Sequence, residues 1–398
     1  MKNLVLIFLL LSTPVMALKV THLELVARAN DYDSFQLPFP SYLSNVSPVI
    51  NDRGDISFNF VTYENEKLEK GVWLRKGSEK IGKSVFRIFG DKYLSVPALN
   101  NRGNLAFNLY DTTASDGIFK YDSVLDNVSL ILDPEDLPYK QYSYISLNEQ
   151  DELLFRGRSH RGTHSVVFYN ETDGDRRIFR EGNSRTASKI SYIFGSRFNN
   201  QGMIAGKVRL GERGEYDESQ GDEIRVWDLE GKMTTIASDQ DVDKNSLFKG
   251  FFNSVALSDN GHVVFVAKLA HKVRALYVSH GGKLTRIATE GEDGLKTLEQ
   301  FSPVVNANGD IAFRGINQEG KRKIFFARRG VVTALIGEDD IVTTDRETGR
   351  IQLKKGFPGL SGGISMNSSG DIVFNCILKD KYGKNSLGNA IYLIRVGE

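Results

Sequence analysis

The chain has 398 residues, a formal net charge of +1 and a single cysteine. Near-neutrality leaves no global field for nucleic acid or an anionic membrane, and one cysteine excludes an intramolecular disulfide framework. With 38 Gly, 24 Phe and 15 Tyr, the composition favours many short strands and tight turns.

At the N-terminus, Lys2, the apolar run Leu4 to Leu11 and the small-x-small pattern Val15-Met16-Ala17 read as an export signal. Residues 1–17 are expected to be a signal peptide, and 18–398 an exported chain, periplasmic or extracellular. No later stretch has the length and apolarity of a membrane helix, so no integral membrane segment is expected after cleavage.

One motif then returns seven times, about 50 residues apart, the spacing of propeller blades. It begins Asn51-Asp-Arg-Gly54-Asp-Ile-Ser-Phe58 and Asn100-Asn-Arg-Gly103-Asn-Leu-Ala-Phe107. Degraded copies turn at Asp151 and Gly202, and a third at Gly261. Asn306-Ala-Asn-Gly309 with Phe313 and Asn367-Ser-Ser-Gly370 with Phe374 complete the set. An Asn opening a turn bonds its own backbone, and a Gly three positions on takes a positive φ without steric cost.

Registered on the Gly, the following strand alternates at period two. Ile56, Leu105, Leu153, Ile204, Val263, Ile311 and Ile372 sit two positions on, and Phe58, Phe107, Phe155, Gly206, Phe265, Phe313 and Phe374 four positions on. The slot between them is small or apolar, so both faces are covered, as in a blade sandwiched between neighbours. Third strands such as Gly71 to Leu74 and fourth strands such as Leu284 to Ala288 give four per unit. The seventh unit stops after Ala390 to Ile394, and His22 to Ala27 resembles the missing fourth strand. The expected fold is all-β: one seven-bladed propeller domain over 18–398, monomeric, its ring closed by the N-terminal strand completing the last blade.

At Asn100 to Phe107 and Asn306 to Phe313 the chain resembles secreted bacterial tandem-repeat proteins with the signature N-x-x-G-x-x-A-F. Ser57, Leu154, Val264 and Val373 depart from its Ala. The resemblance implies export and repeats, without a shared activity.

Function is sought on the face opposite the uniform turns, where irregular loops gather. Arg209 to Glu223, Asp239 to Lys249 and Glu338 to Gly363 lengthen that face. Acidic turns there supply ligand candidates Asp31, Asp136, Asp241, Asp293 and Asp339. Asp239, Asp241 and Asp243 offer hard oxygens for calcium, although their spacing matches no dedicated calcium loop. No other cofactor is expected. Arg197 stands where the other copies hold Val49, Ala98, Ser146, Ala256, Val304 and Ser365, so it points to the channel, holding an anion or, by preference, pairing with an acid. Tyr144 narrows the channel where Ser47, Val96, Gly195, Ser254, Ser302 and Gly363 recur. Cys376 falls in a core slot. No catalytic motif is present. The reading is a binding or scaffold protein using the loop-rich face for an unidentified protein or envelope glycan, with no nucleic acid partner. The alternative is a hydrolase or lyase acting on a polysaccharide or small metabolite at the channel mouth.

Overall fold

A computed structural model describes residues 18–43, 46–64, 67–182, 189–214, 217, 220–352 and 358–397. The proposed signal segment 1–17 lies outside them. The described chain folds into seven antiparallel sheets of four principal strands each, without an α-helix. Such an all-β array of four-stranded sheets is consistent with a β-propeller. No helix among the described residues is long and apolar enough to cross a membrane.

Each repeat motif makes the hairpin between a sheet's first and second strands. In the third sheet Tyr139–Leu147 pairs with Leu153–Ser159, then His164–Asn170 and Gly174–Arg180 follow in order. The alternation predicts burial correctly: Phe58, Phe107, Phe155, Phe265, Phe313 and Phe374 are buried, as are the Ile, Leu and Val two positions before them. Burying one such ring contributes about 1.5–3 kcal/mol. The seventh sheet joins both ends of the chain, for Lys19–Ala29 runs antiparallel to Ser386–Gly397, with Leu23 opposite Ile394.

The turns follow the expected chemistry. Gly54, Gly103, Gly202, Gly261, Gly309 and Gly370 have φ between 77° and 86°, and Asp151 takes the same left-handed region at 63°. Asp151 fits because its carboxylate accepts hydrogen bonds from Asn100 and Asn104 of the preceding unit at 2.8–3.0 Å. Asn51 Oδ1 accepts from the N–H groups of Arg53 and Asp55, and the Asn residues of five other turns repeat the pattern.

The amide nitrogen of these side chains has a second task that the repeat alone did not reveal. Asn51 Nδ2 donates to Asn100 O, Asn100 to Asn148 O, Asn199 to Ser258 O and Asn306 to Ser368 O, at 2.8–3.2 Å. Glu149 N donates to Asn200 Oδ1 and Asn260 Nδ2 to Ala307 O, and Ser368 N donates to Asp52 Oδ1, tying the seventh turn to the first. Asn100 is buried, so Asn100→Ala removes four hydrogen bonds and strands their partners. Urea unfolding is expected to register a loss of about 2–3 kcal/mol.

A second series of ties lies deeper. The first strands are bulged or interrupted, as between Ser143 and Ser146 or Ile193 and Ser196, which frees carbonyls from the ladder. The residue five after each turn position answers them from the preceding unit: Asn59 to Ser95 O, Asn108 to Tyr142 O, Arg156 to Ile193 O, Lys207 to Phe251 O, Arg314 to Gly362 O and Asn375 to Leu43 O. Val266 breaks the series, and Arg274 supplies the donor to Leu298 O instead. Satisfying these buried groups fixes the order of neighbouring sheets.

One connection departs from expectation. Within Glu338 to Gly363, read as an irregular loop, Ile341–Thr343 and Thr348–Ile351 form a hairpin that pairs with Ile372–Asp380. That strand has nine residues, against six or seven in most second strands, so its exposed edge accepts the hairpin. Asp345 at the hairpin tip meets buried Arg28, which also holds Asp33.

Candidate functional site

The end of each second strand and the start of each third strand lie opposite the repeat turns. Between the first two sheets this face opens into a groove of about 550 Å³. Ser41–Tyr42 brings Tyr42 to it, Ile56–Glu64 brings Asn59 and Tyr63, Lys67–Arg75 brings Lys70, and Tyr93–Leu94 brings Tyr93. Ser47 and Val96, from the slot that holds Tyr144 in the third unit, line its inner end.

The tyrosines are open to solvent: Tyr42, Tyr63 and Tyr93 are 39%, 45% and 47% exposed, whereas the aromatic rings of the repeat are sealed in the core. Tyr42 and Tyr63 stand edge to face with centroids 5.8 Å apart, and Tyr93 leans on Tyr110 at 5.7 Å. Lys70 Nζ sits 4.2 Å above the Tyr93 ring and donates to Lys92 O. Burial holds the Lys70 ammonium below the usual lysine range, with Asp91 opposing. The groove thus combines aromatic surfaces with donors and acceptors, the composition of a site for an amphipathic ligand.

Elsewhere on this face a recess of about 560 Å³ presents Lys249, Lys268, Lys272 and Arg274 around Phe252. The acidic turns do not form a counterpart to it. Asp239 is buried and accepts from the N–H groups of Asp222, Asp241 and Val242, while Asp241 stands 3.8 Å from Lys244 and Asp243 accepts from Asn245 N. Asp339 pairs with Lys321. Asp31, Asp136 and Asp293 are exposed on separate units. Several acids at this end instead brace their own sheet: Glu181, Glu290 and Glu338 accept from the N–H groups of His164, Arg274 and Arg322, the first residues of third strands. Among the described residues no cluster of three or more His, Cys, Asp or Glu side chains is arranged to hold a metal ion.

Tyr144 and Arg197, drawn from different repeats, lie on neighbouring first strands. The Tyr144 ring covers Gly195, two residues before Arg197 on the neighbouring first strand, where an added Cβ would lie 2.6 Å from the ring. Arg156 stacks on the Tyr144 ring, its Cζ 4.7 Å from the centroid. The preferred pairing of Arg197 with an acid is not found: no carboxylate or hydrogen-bond acceptor among the described residues engages it. Asp222 and Glu223 of the same sheet serve other cations, Asp222 pairing with Lys207 and Arg209, and Glu223 with Arg225. Cys376 is buried as expected, and burial pushes its thiol pKa up, which leaves it inert.

Residues 21–319 and 198–397 each match the profile of a family of unknown function, DUF7453. The chain belongs to this family. Two overlapping matches are what a repeated chain of DUF7453 permits. No curated protein matches the sequence. An oligogalacturonate lyase from Vibrio parahaemolyticus superposes with a TM-score of 0.56 at 10% identity, over 95% of this chain and 98% of the lyase. The polysaccharide lyase Uly1 gives a TM-score of 0.49 at 12% identity, over 92% and 91% of the two chains. At such identity the first likeness is one of fold alone.

Proposed function

We propose that this DUF7453 protein is an exported, monomeric, seven-bladed β-propeller over residues 18–398 that binds a glycan on its loop-rich face. The N-terminal strand completes the last blade and the inter-turn hydrogen bonds run through to the first turn, which supports a closed ring. The observation that carries the binding role is the gathering of Tyr42, Tyr63 and Tyr93 around one open groove with Asn59, Ser47 and Lys70. Sugar rings offer C–H faces that pack on aromatic rings and hydroxyls that exchange hydrogen bonds with amide, hydroxyl and ammonium groups. Exposing three rings at one place costs hydration free energy that a ligand covering them recovers.

The test is a panel of envelope oligosaccharides titrated into the mature protein by calorimetry, with each mixture then analysed for cleavage products. Saturable binding of at least one glycan without product is expected. Product formation would favour the enzymatic alternative, and absence of any saturable binding would overturn the glycan reading. Shortening 211–221 is expected to leave the tyrosine groove competent, because that loop belongs to the fourth sheet; calorimetry on the shortened protein checks this.

A further inference from the structure

Arg197 differs from the other cations of the interior. Arg28 is held by Asp33 and Asp345, Lys207 by Asp222, Arg225 by Glu223 and Arg314 by Glu299, each with a contact of 2.5–2.9 Å. Arg197 lies among the first strands, half-buried, with its five N–H donors unclaimed by any described residue. Enclosure holds its pKa below the usual arginine range, and Tyr144 is the titratable neighbour that opposes the shift. A half-buried guanidinium without a counter-charge is partly desolvated, and its donors are left to solvent or to an anion that enters beside it.

Tyr144 carries a second, independent mark. Its φ is +55°, a left-handed conformation that a bulky side chain adopts at a cost. Its ring is 45% exposed, and its hydroxyl has no hydrogen-bond partner among the described residues. The bulge and the packing against Gly195 and Arg156 hold it there. Simple space-filling requires neither the strained backbone nor the free hydroxyl.

We propose that Arg197 and Tyr144 form a site for a small oxyanion, a carboxylate or phosphate group, in the space enclosed by the first strands of the third and fourth sheets. The guanidinium supplies the charge and paired donors, the tyrosyl hydroxyl a further donor, and Arg156 beneath the ring adds to the positive field. This site is distinct from the tyrosine groove and does not depend on it.

Mature protein is titrated with inorganic phosphate and, separately, with sodium acetate, at constant ionic strength, by calorimetry and thermal unfolding. Saturable one-site binding of at least one anion is expected, and the anion that saturates identifies the preferred group. Arg197→Ala is expected to weaken it by at least about tenfold and Tyr144→Phe by about threefold to tenfold. Arg197→Ala should fold, since Ala98 and Ala256 occupy the equivalent positions, and its anion-free Tm is expected to equal or exceed that of the parent. Gly195→Ala, which drives a methyl into the Tyr144 ring, gives a second variant that retains Arg197 and is expected to lose affinity. Absence of saturable binding by either anion, or undiminished binding in Arg197→Ala or Gly195→Ala, would overturn the proposal.

Discussion

Replacing Arg28 with Met is expected to cost about 3–5 kcal/mol at neutral pH, a large share of the stability of any domain. The guanidinium is 1% exposed and lies between Asp33 and Asp345, with donors also reaching Leu387 O. It joins the N-terminal strand, the 341–351 hairpin and the last strand, so one substitution weakens the seam between the ends of the chain. Met fills much of the volume but leaves two carboxylates in a poorly hydrated site. The hydrogen bond from Arg28 holds Asp33 below the ordinary carboxylate range, against an opposing push from burial, and the charges of Arg28 and Arg346 add to the lowering. A carboxylate whose pKa is depressed by folding contributes stability above its unfolded pKa, near 3.9, and loses it as pH falls through the folded value. The gap between parent and variant is therefore widest at neutral pH and narrows below about pH 4. Urea midpoints measured from pH 3 to 7 check the sign; a gap that widens with acid would contradict it.

The second large effect concerns the groove. Tyr42→Ala combined with Tyr93→Ala is expected to reduce affinity for a bound glycan about a hundredfold, with a single truncation costing about tenfold. Both rings are exposed outside the core, so thermal unfolding should move by less than about 2 °C. Tyr63→Phe, which keeps the ring and removes the hydroxyl, separates packing from hydrogen bonding. Calorimetry on the three variants reads these effects. Equal loss in a variant altered in the distant basic recess, such as Lys272→Ala, would count against the groove as the site.

Much of the fold was legible because its signal is local and repeated. Asn, Gly and the alternating Ile and Phe recur at fixed offsets, and the missing fourth strand of the last unit could be matched to His22–Ala27 by kind. The ties between units were not legible. Asn51 bonds its own turn through Oδ1, a local fact, but its Nδ2 acts on Asn100 O, 49 residues away. The donors Asn59, Asn108, Arg156, Lys207, Arg314 and Asn375 share one register position, and their diversity hid a common function until the bulged strands were seen. The hairpin at 341–351 depends on the spare edge of another unit, which no reading of its own residues reveals.

The candidate sites divide along the same line. Arg197 and Tyr144 announced themselves by breaking a column of small residues. Their placement on neighbouring strands follows from adjacent repeats, but the lack of an acid partner for Arg197 among the described residues depends on where the carboxylates of the surrounding strands fall. Tyr42, Tyr63 and Tyr93 occupy no shared slot, and only the converging strand ends bring them together. The acidic turns carry more than one signal: Glu181, Asp239, Glu290 and Glu338 accept from N–H groups of their own sheets, so recurrence there marks bracing as well as a place for recognition.

The most direct test of the glycan-binding account is a crystal structure of residues 18–398 soaked with the tightest-binding oligosaccharide. The account predicts a sugar ring packed on Tyr42 or Tyr93, with Lys70 within hydrogen-bonding distance of its hydroxyls. A sugar ordered at another surface, with the tyrosine groove left open, would contradict it.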